Sequence, residues 1–152
     1  MENEMNTLDP NNEILIVTDT ALAAGPLAGV VRERVNAGSY QFTLLVPAVA
    51  HGLHRVVDPE DRCCAEAEET IRGLRPALEA AAGGALAITI GTHEPMAAIQ
   101  DALNAHQFGE VILATRSHRL ARWARLDLAS KVKDLGLPVT AVDIASEPLE
   151  AA

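Results

Sequence analysis

Short apolar runs alternate with longer stretches of helical spacing along most of this chain. The apolar runs occupy residues 13–18, 40–46, 85–90, 108–114 and 137–143. Continuous apolar runs of this length are typical of strands that are covered on both faces. Strands that alternate with helices form right-handed βαβ units. The sequence therefore predicts an α/β fold: a single doubly wound, Rossmann-like domain with a five-stranded parallel sheet and helices on both faces.

The stretches between the runs carry apolar residues three or four positions apart, as amphipathic helices do. They predict helices over residues 21–36, 61–82, from 95 onward and over 120–135. The first helix is expected to begin near Gly25, and residues 51–60 have no periodicity and predict a loop. Pro76 lies inside the second helix, where proline removes a backbone hydrogen bond at a cost of about 3 kcal/mol. A kink or break is therefore expected over residues 73–76.

One domain accounts for the length of the chain. The 152 residues are 49% hydrophobic, which is enough apolar surface for a sizeable core. Residues 1–12 are polar and without periodicity, so they predict a disordered amino-terminal tail. The α/β domain is expected to span residues 13–144, and residues 145–152 to form a carboxyl-terminal tail.

The net charge of −9 argues against a general nucleic-acid binder, because such proteins need a basic face. The charge is uneven: residues 116–134 hold six basic and two acidic residues, a local charge of +4 that leaves −13 for the rest. No apolar run approaches the roughly 18 residues of a membrane helix, so no membrane partner is expected. The amino terminus does not resemble a signal, and Cys63 and Cys64 are adjacent rather than paired, which favours the cytoplasm.

Polar residues follow the first and fourth apolar runs, where open α/β sheets bind their ligands. Asp19 and Thr20 either bind a nucleobase or ribose, or cap the helix that follows them. Residues 115–119 form a predicted loop. Within it, Arg116 and Arg119 either hold an anion with the help of helix amides or belong to a solvated face.

No reaction is indicated by the motifs of the chain. Its five histidines, His51, His54, His93, His106 and His118, have no regular spacing, so no metal site is predicted. A Walker loop, a partnered serine, histidine and acid, and a carboxylate pair are all missing from the sequence. We therefore expect a protein that is not an enzyme and has no catalytic residues.

Taken together, these features resemble a universal stress protein domain over residues 13–143. The resemblance rests on the run Ile14-Leu15-Ile16-Val17-Thr18-Asp19, the long second helix, the turn Gly91-Thr92-His93-Glu94-Pro95 and the unit over 108–142. It implies the strand order 3-2-1-4-5 and a homodimer, which is often built by pairing the last strands. It also implies that Asp19 contacts adenine and that a backbone contact to the ligand falls near Val46.

The nucleotide motif of that family is Gly, two residues, Gly, nine residues, then Gly followed by Ser or Thr. The corresponding positions are Ala114, Ser117, Asp127 and Leu128, so all three glycines are missing. Glycine lets the backbone turn with positive φ and approach a phosphate, and Asp127 adds a negative charge where a triphosphate would lie. The chain thus resembles a branch that has lost the motif. Impaired ATP binding is therefore expected, and no cofactor is predicted; ATP or AMP is the alternative.

The leading expectation is a homodimeric, non-enzymatic binding module of regulation or stress response. The alternative is a protein that binds a nucleotide or another phosphorylated ligand through Asp19 and the 116–119 loop. A nucleotide hydrolase is a third alternative, and it would need a base such as His93 or His118. The candidate ligand-binding residues are Asp19, Thr20, Val46, Ala114, Arg116, Ser117, Arg119 and Leu128.

Overall fold

The computed structural model describes residues 12–38, 40–47, 59–91, 95–116, 134 and 136–144. The strands are β1 (Glu13–Thr18), β2 (Gln41–Pro47), β3 (Ala87–Gly91), β4 (Glu110–Arg116) and β5 (Val139–Ile144). The helices are α1 (Ala24–Ala37), α2 (Pro59–Ala82) and α3 (Pro95–Ala105), and a 3-10 turn over Ala21–Ala23 precedes α1.

The five strands form one parallel sheet in the order β3-β2-β1-β4-β5. This Rossmann-like arrangement confirms the predicted fold class and the strand order 3-2-1-4-5. β1 is the central strand, and its Ile16 lies opposite Leu44 of β2 and Ile112 of β4. All three side chains are fully buried, as expected of strands covered on both faces.

Helices cover both faces of this sheet. Successive side chains of a strand point to opposite sides, so each face has its own core cluster. Ile14 and Ile16 of β1 belong to a core cluster that includes residues of α1 and α2. Leu15 and Val17 belong to a second cluster on the other face, which includes Ile99 of α3. Two helices thus pack on one face and one on the other, within the described part of the chain.

α2 runs without interruption through Pro76, so the helix does not break over residues 73–76. The other predicted alternative, a kink at this position, stays a prediction. Leu74 and Leu78, on either side of the proline, are both fully buried against the core. Arg72, whose carbonyl loses its helical partner, is exposed and can bond water instead. The packing of the two leucines therefore outweighs the local cost of proline.

α2 ends at the predicted glycines. Gly83 has φ of 81°, and the N–H groups of Gly83 and Gly84 donate to the carbonyl of Glu79 at 2.9 and 3.2 Å. The Glu79 carboxylate accepts hydrogen bonds from Arg75 at 3.1 Å and from the N–H of Leu86 at 3.3 Å. These two bonds lower the pKa of Glu79, and they tie the helix end to the segment that enters β3.

Several element boundaries differ from the predictions. α2 begins at Pro59, so residues 59 and 60 are helical rather than part of the predicted loop. β4 covers residues 110–116 instead of 108–114, which places Thr115 and Arg116 in the strand and not in a loop. The extension has a pairing partner, because Thr115 lies opposite Asp143 and Arg116 opposite Ile144 in β5. The predicted last helix and both predicted tails lie almost entirely outside the described residues.

Candidate functional site

The candidate site lies where the carboxyl ends of β1 and β4 meet. From β1 the chain moves to β2 and β3 on one side, and it returns to β4 and β5 on the other. The crevice at such a switch point is the usual ligand position of an open α/β sheet. The residues at this end of the two strands are Thr18, Asp19, Thr20 and Thr115.

A hydrogen bond joins the two strands at the crevice. The Thr115 hydroxyl donates to Asp19 Oδ1 over 2.7 Å. The register explains this contact: Thr18 of β1 lies opposite Ala114 of β4, so the residues that follow them, Asp19 and Thr115, are neighbours. Thr115 is fully buried and Asp19 is half-buried. A short bond from a fixed hydroxyl to a carboxylate sets the orientation of the Asp19 side chain.

Thr20 serves as the cap of the 3-10 turn. Its hydroxyl accepts a hydrogen bond from the N–H of Leu22 at 3.1 Å, and its backbone is extended. The hydroxyl of Thr18 lies 3.4 Å from both the N–H and the carbonyl oxygen of Thr20. Capping, one of the two alternatives for this pair of residues, is therefore what the structure shows for Thr20.

Val46 and Ala114 lie near the same edge of the sheet, at the carboxyl ends of β2 and β4. Both side chains are buried in the core cluster beneath α1 and α2. They face the helices, so any contact of these two residues with a ligand at the crevice involves their backbone. This is the kind of contact that the resemblance implied for Val46.

The predicted anion-binding half of the site is described only in part. Arg116 is the last residue of β4, one position beyond Thr115. Ser117, Arg119 and Leu128 lie outside the described residues. The role of the 116–119 loop therefore stays a prediction.

Thr115 is the site residue that the sequence analysis missed. The sequence predicts a loop at this position and indicates no function for Thr115. The available signal was that polar residues follow two adjacent central strands, Asp19 after β1 and Thr115 near the end of β4. To infer a contact between Asp19 and Thr115 from this signal, one must know the register of β1 against β4, which the sequence does not show.

The opposite end of the sheet carries a charged network with a structural role. Arg34 of α1 donates from Nε and Nη2 to the Glu110 carboxylate at 3.0 and 2.6 Å, and the Thr140 hydroxyl donates to Glu110 at 2.8 Å. Burial opposes ionisation of Glu110, but the hydrogen bonds from Arg34 and Thr140 and the positive charge of Arg34 outweigh it, so its pKa is lowered. The bond to Glu110 raises the pKa of Arg34.

Among the described residues, open grooves also lie away from the crevice. One of about 660 Å³ runs between β3 and α3, and one of about 460 Å³ lies at the amino end of the sheet; Thr43, Ala87 and His106 line both. Within the described ranges, no group of three or more His, Cys, Asp or Glu side chains could hold a metal ion. No helix among those same residues is long and apolar enough to cross a membrane.

No protein-family model matches this chain, and no curated protein matches it. What the structure establishes is the class: a Rossmann-like parallel α/β fold of order 3-2-1-4-5, which is consistent with the universal stress protein family but not specific to it.

Proposed function

We propose that the chain is a universal-stress-protein-like, non-enzymatic binding module of regulation or stress response that acts as a homodimer. It holds a small ligand at the crevice between β1 and β4, and it binds ATP poorly. The observation that carries this proposal is the hydrogen bond from Thr115 to Asp19, because it fixes a half-buried carboxylate at the switch point of the sheet. The adjacent cysteines of the sequence favour a cytoplasmic protein.

The ligand that suits this site offers hydrogen-bond donors. A carboxylate has about four acceptor positions on its two oxygens, so Asp19 can accept from Thr115 and from a ligand amine or hydroxyl together. Adenosine has both kinds of donor and no phosphate. The missing glycines of the nucleotide motif and the acid at position 127 disfavour a triphosphate, so adenosine should bind at least as tightly as ATP.

A calorimetric titration with adenosine tests this proposal. Asp19→Asn should weaken binding by about tenfold or more, since it removes the charged acceptor. Thr115→Val keeps the shape of the side chain, and it should weaken binding about three- to tenfold because Asp19 loses its orienting donor. Thr43→Val is the matched control, a strand threonine outside the crevice, and should change nothing. Equal affinity in all four proteins would overturn the proposal.

The second candidate function is binding of a phosphorylated ligand through Asp19 and the 116–119 loop. The observation in its favour is that β4 ends at Arg116, one residue beyond Thr115 and at the same edge of the sheet. Titration with AMP and ATP, with and without magnesium, separates the two functions. Tighter binding of ATP than of adenosine, weakened by Arg116→Ala, would support this candidate and reject the first one.

A further inference from the structure

β3 is an edge strand that lacks two of the features that commonly protect such strands, charged side chains and proline. In the described part of the chain it pairs with β2 and lies at the end of the sheet. Its five residues, Ala-Ile-Thr-Ile-Gly, include no charged side chain and no proline. Natural edge strands are commonly guarded by charges, prolines or bulges, because their free N–H and C=O groups can pair with another strand. Among the described residues no strand pairs with the outer edge of β3, so this edge can pair with a further strand.

The sequence of β3 is nearly symmetric about its centre. If two copies pair antiparallel around Thr89, Thr89 lies opposite Thr89 and Ile88 lies opposite Ile90 of the second copy. The remaining pair is Ala87 with Gly91. Thr–Thr pairs stabilise antiparallel strands, and β-branched residues such as Ile favour strands because they pack well against their neighbours. Ile thus meets Ile and Thr meets Thr, and every pair recurs with its two members exchanged, as in a two-fold interface.

The other edge strand, β5, lacks this symmetry. A two-fold axis perpendicular to the sheet keeps every side chain on its own face, and directly opposite residues of antiparallel strands share a face. The axis must therefore lie between the two copies of one residue. Centred on Ala141, β5 would place Val139 opposite Asp143; centred on Val142, it would place Thr140 opposite Ile144. Both arrangements put a polar residue against an aliphatic one. In addition, Thr140 already donates to Glu110 in the network at the amino end of the sheet.

The partial burial of the β3 side chains also favours a second copy of β3 as the pairing partner. Ile88 and Ile90 pack against the core beneath α1 and α2 but remain half-buried, so a second strand would cover the area that they still expose. Thr89 is exposed on the opposite face and can reach its counterpart across the axis.

We propose that β3 is the homodimer interface, where it pairs antiparallel with β3 of a second copy across a two-fold axis at Thr89. The two sheets then form one continuous sheet. This inference rests on the homodimer of the proposed function, but it places the contact at the opposite edge from the one that the resemblance implied.

Sedimentation velocity of the full chain tests the interface. Thr89→Lys puts two positive charges opposite each other and should raise the dimer dissociation constant about tenfold or more. Ala141→Lys is the matched control: it adds the same charge at an exposed position in the middle of β5, and it should leave the dimer intact. Thermal unfolding of each variant verifies that it folds.

Disulfide trapping gives a second readout. In a chain with Cys63→Ser and Cys64→Ser, Thr89→Cys should form a covalent dimer on oxidation, because opposite residues of antiparallel strands have Cα atoms about 4.5–5.5 Å apart. Ala141→Cys should stay monomeric on a denaturing gel. A dimer that Ala141→Lys disrupts, or that neither lysine disrupts, would overturn the β3 interface while leaving the homodimer. A monomeric wild type would overturn both the β3 interface and the homodimer. The proposed ligand site would not be affected by that result, because adenosine binding is measured in a separate titration.

Discussion

At the scale of single residues, the contact between Asp19 and Thr115 carries the functional argument. The two residues are 96 positions apart in the chain and meet only because β1 and β4 are neighbours in the sheet. With this contact, the Asp19 carboxylate has a defined position at the crevice.

Two helical glycines provide a test of close packing. A Cβ atom at Gly73 of α2 would lie 2.8 Å from Cβ of Ala21, whereas a Cβ at Gly29 of α1 would meet no atom within 4 Å. Alanine is the better helix former, so Gly29→Ala should stabilise the protein by about 0.5–1 kcal/mol. Gly73→Ala should destabilise it by about 1–2 kcal/mol, because the 3-10 turn must move. Urea unfolding of both variants measures the difference, and equal stabilisation would contradict the close contact.

At the scale of elements, α2 shows how tertiary packing overrides local preference. Its proline predicted a break, but Leu74 and Leu78 hold the helix against the core on both sides of it. The free energy of this packing cannot be inferred from the local sequence, because it depends on what the helix packs against. The boundary of β4 also depends on tertiary structure, since the strand extends as far as β5 pairs with it.

The proline of α2 should therefore reduce stability without a local benefit. Pro76→Ala restores the hydrogen bond to Arg72, and we expect a gain in the free energy of unfolding of up to about 3 kcal/mol. Pro26→Ala is the control, because Pro26 is exposed in the first turn of α1, where proline is tolerated and its fixed φ suits the helix. It should change stability by no more than about 0.5 kcal/mol. Denaturant unfolding curves that show no gain for Pro76→Ala would contradict this account.

The network of Arg34, Glu110 and Thr140 ties α1 to β4 and β5, and it should make stability depend on pH. The pKa of Glu110 in the folded protein lies below its ordinary value of 4.5. Ionised Glu110 therefore stabilises the fold above about pH 4.5, and this contribution is lost as the pH falls through the lowered pKa. Glu110→Gln should cost about 1–3 kcal/mol at neutral pH and should flatten the acid limb of the stability curve. An acid limb of unchanged slope in urea unfolding from pH 6 to pH 3 would argue against this role.

At the scale of the whole molecule, the architecture was predictable and the site was predictable only in part. The continuous apolar runs revealed the buried strands, and the order 3-2-1-4-5 came from the resemblance. Asp19 could be named because it follows the central strand. Thr115 and the symmetric edge of β3 could not be assigned a role, because register and edge position are properties of the assembled sheet.

The most direct test of the central claim is the location of the bound ligand. Adenosine should be titrated into ¹⁵N-labelled protein and the backbone amide resonances followed. The account predicts that the largest shifts fall on Thr18, Asp19 and Thr115, and that Thr115→Val reduces them. Shifts confined to the groove between β3 and α3, or no shifts at millimolar adenosine, would contradict a ligand site at the crevice.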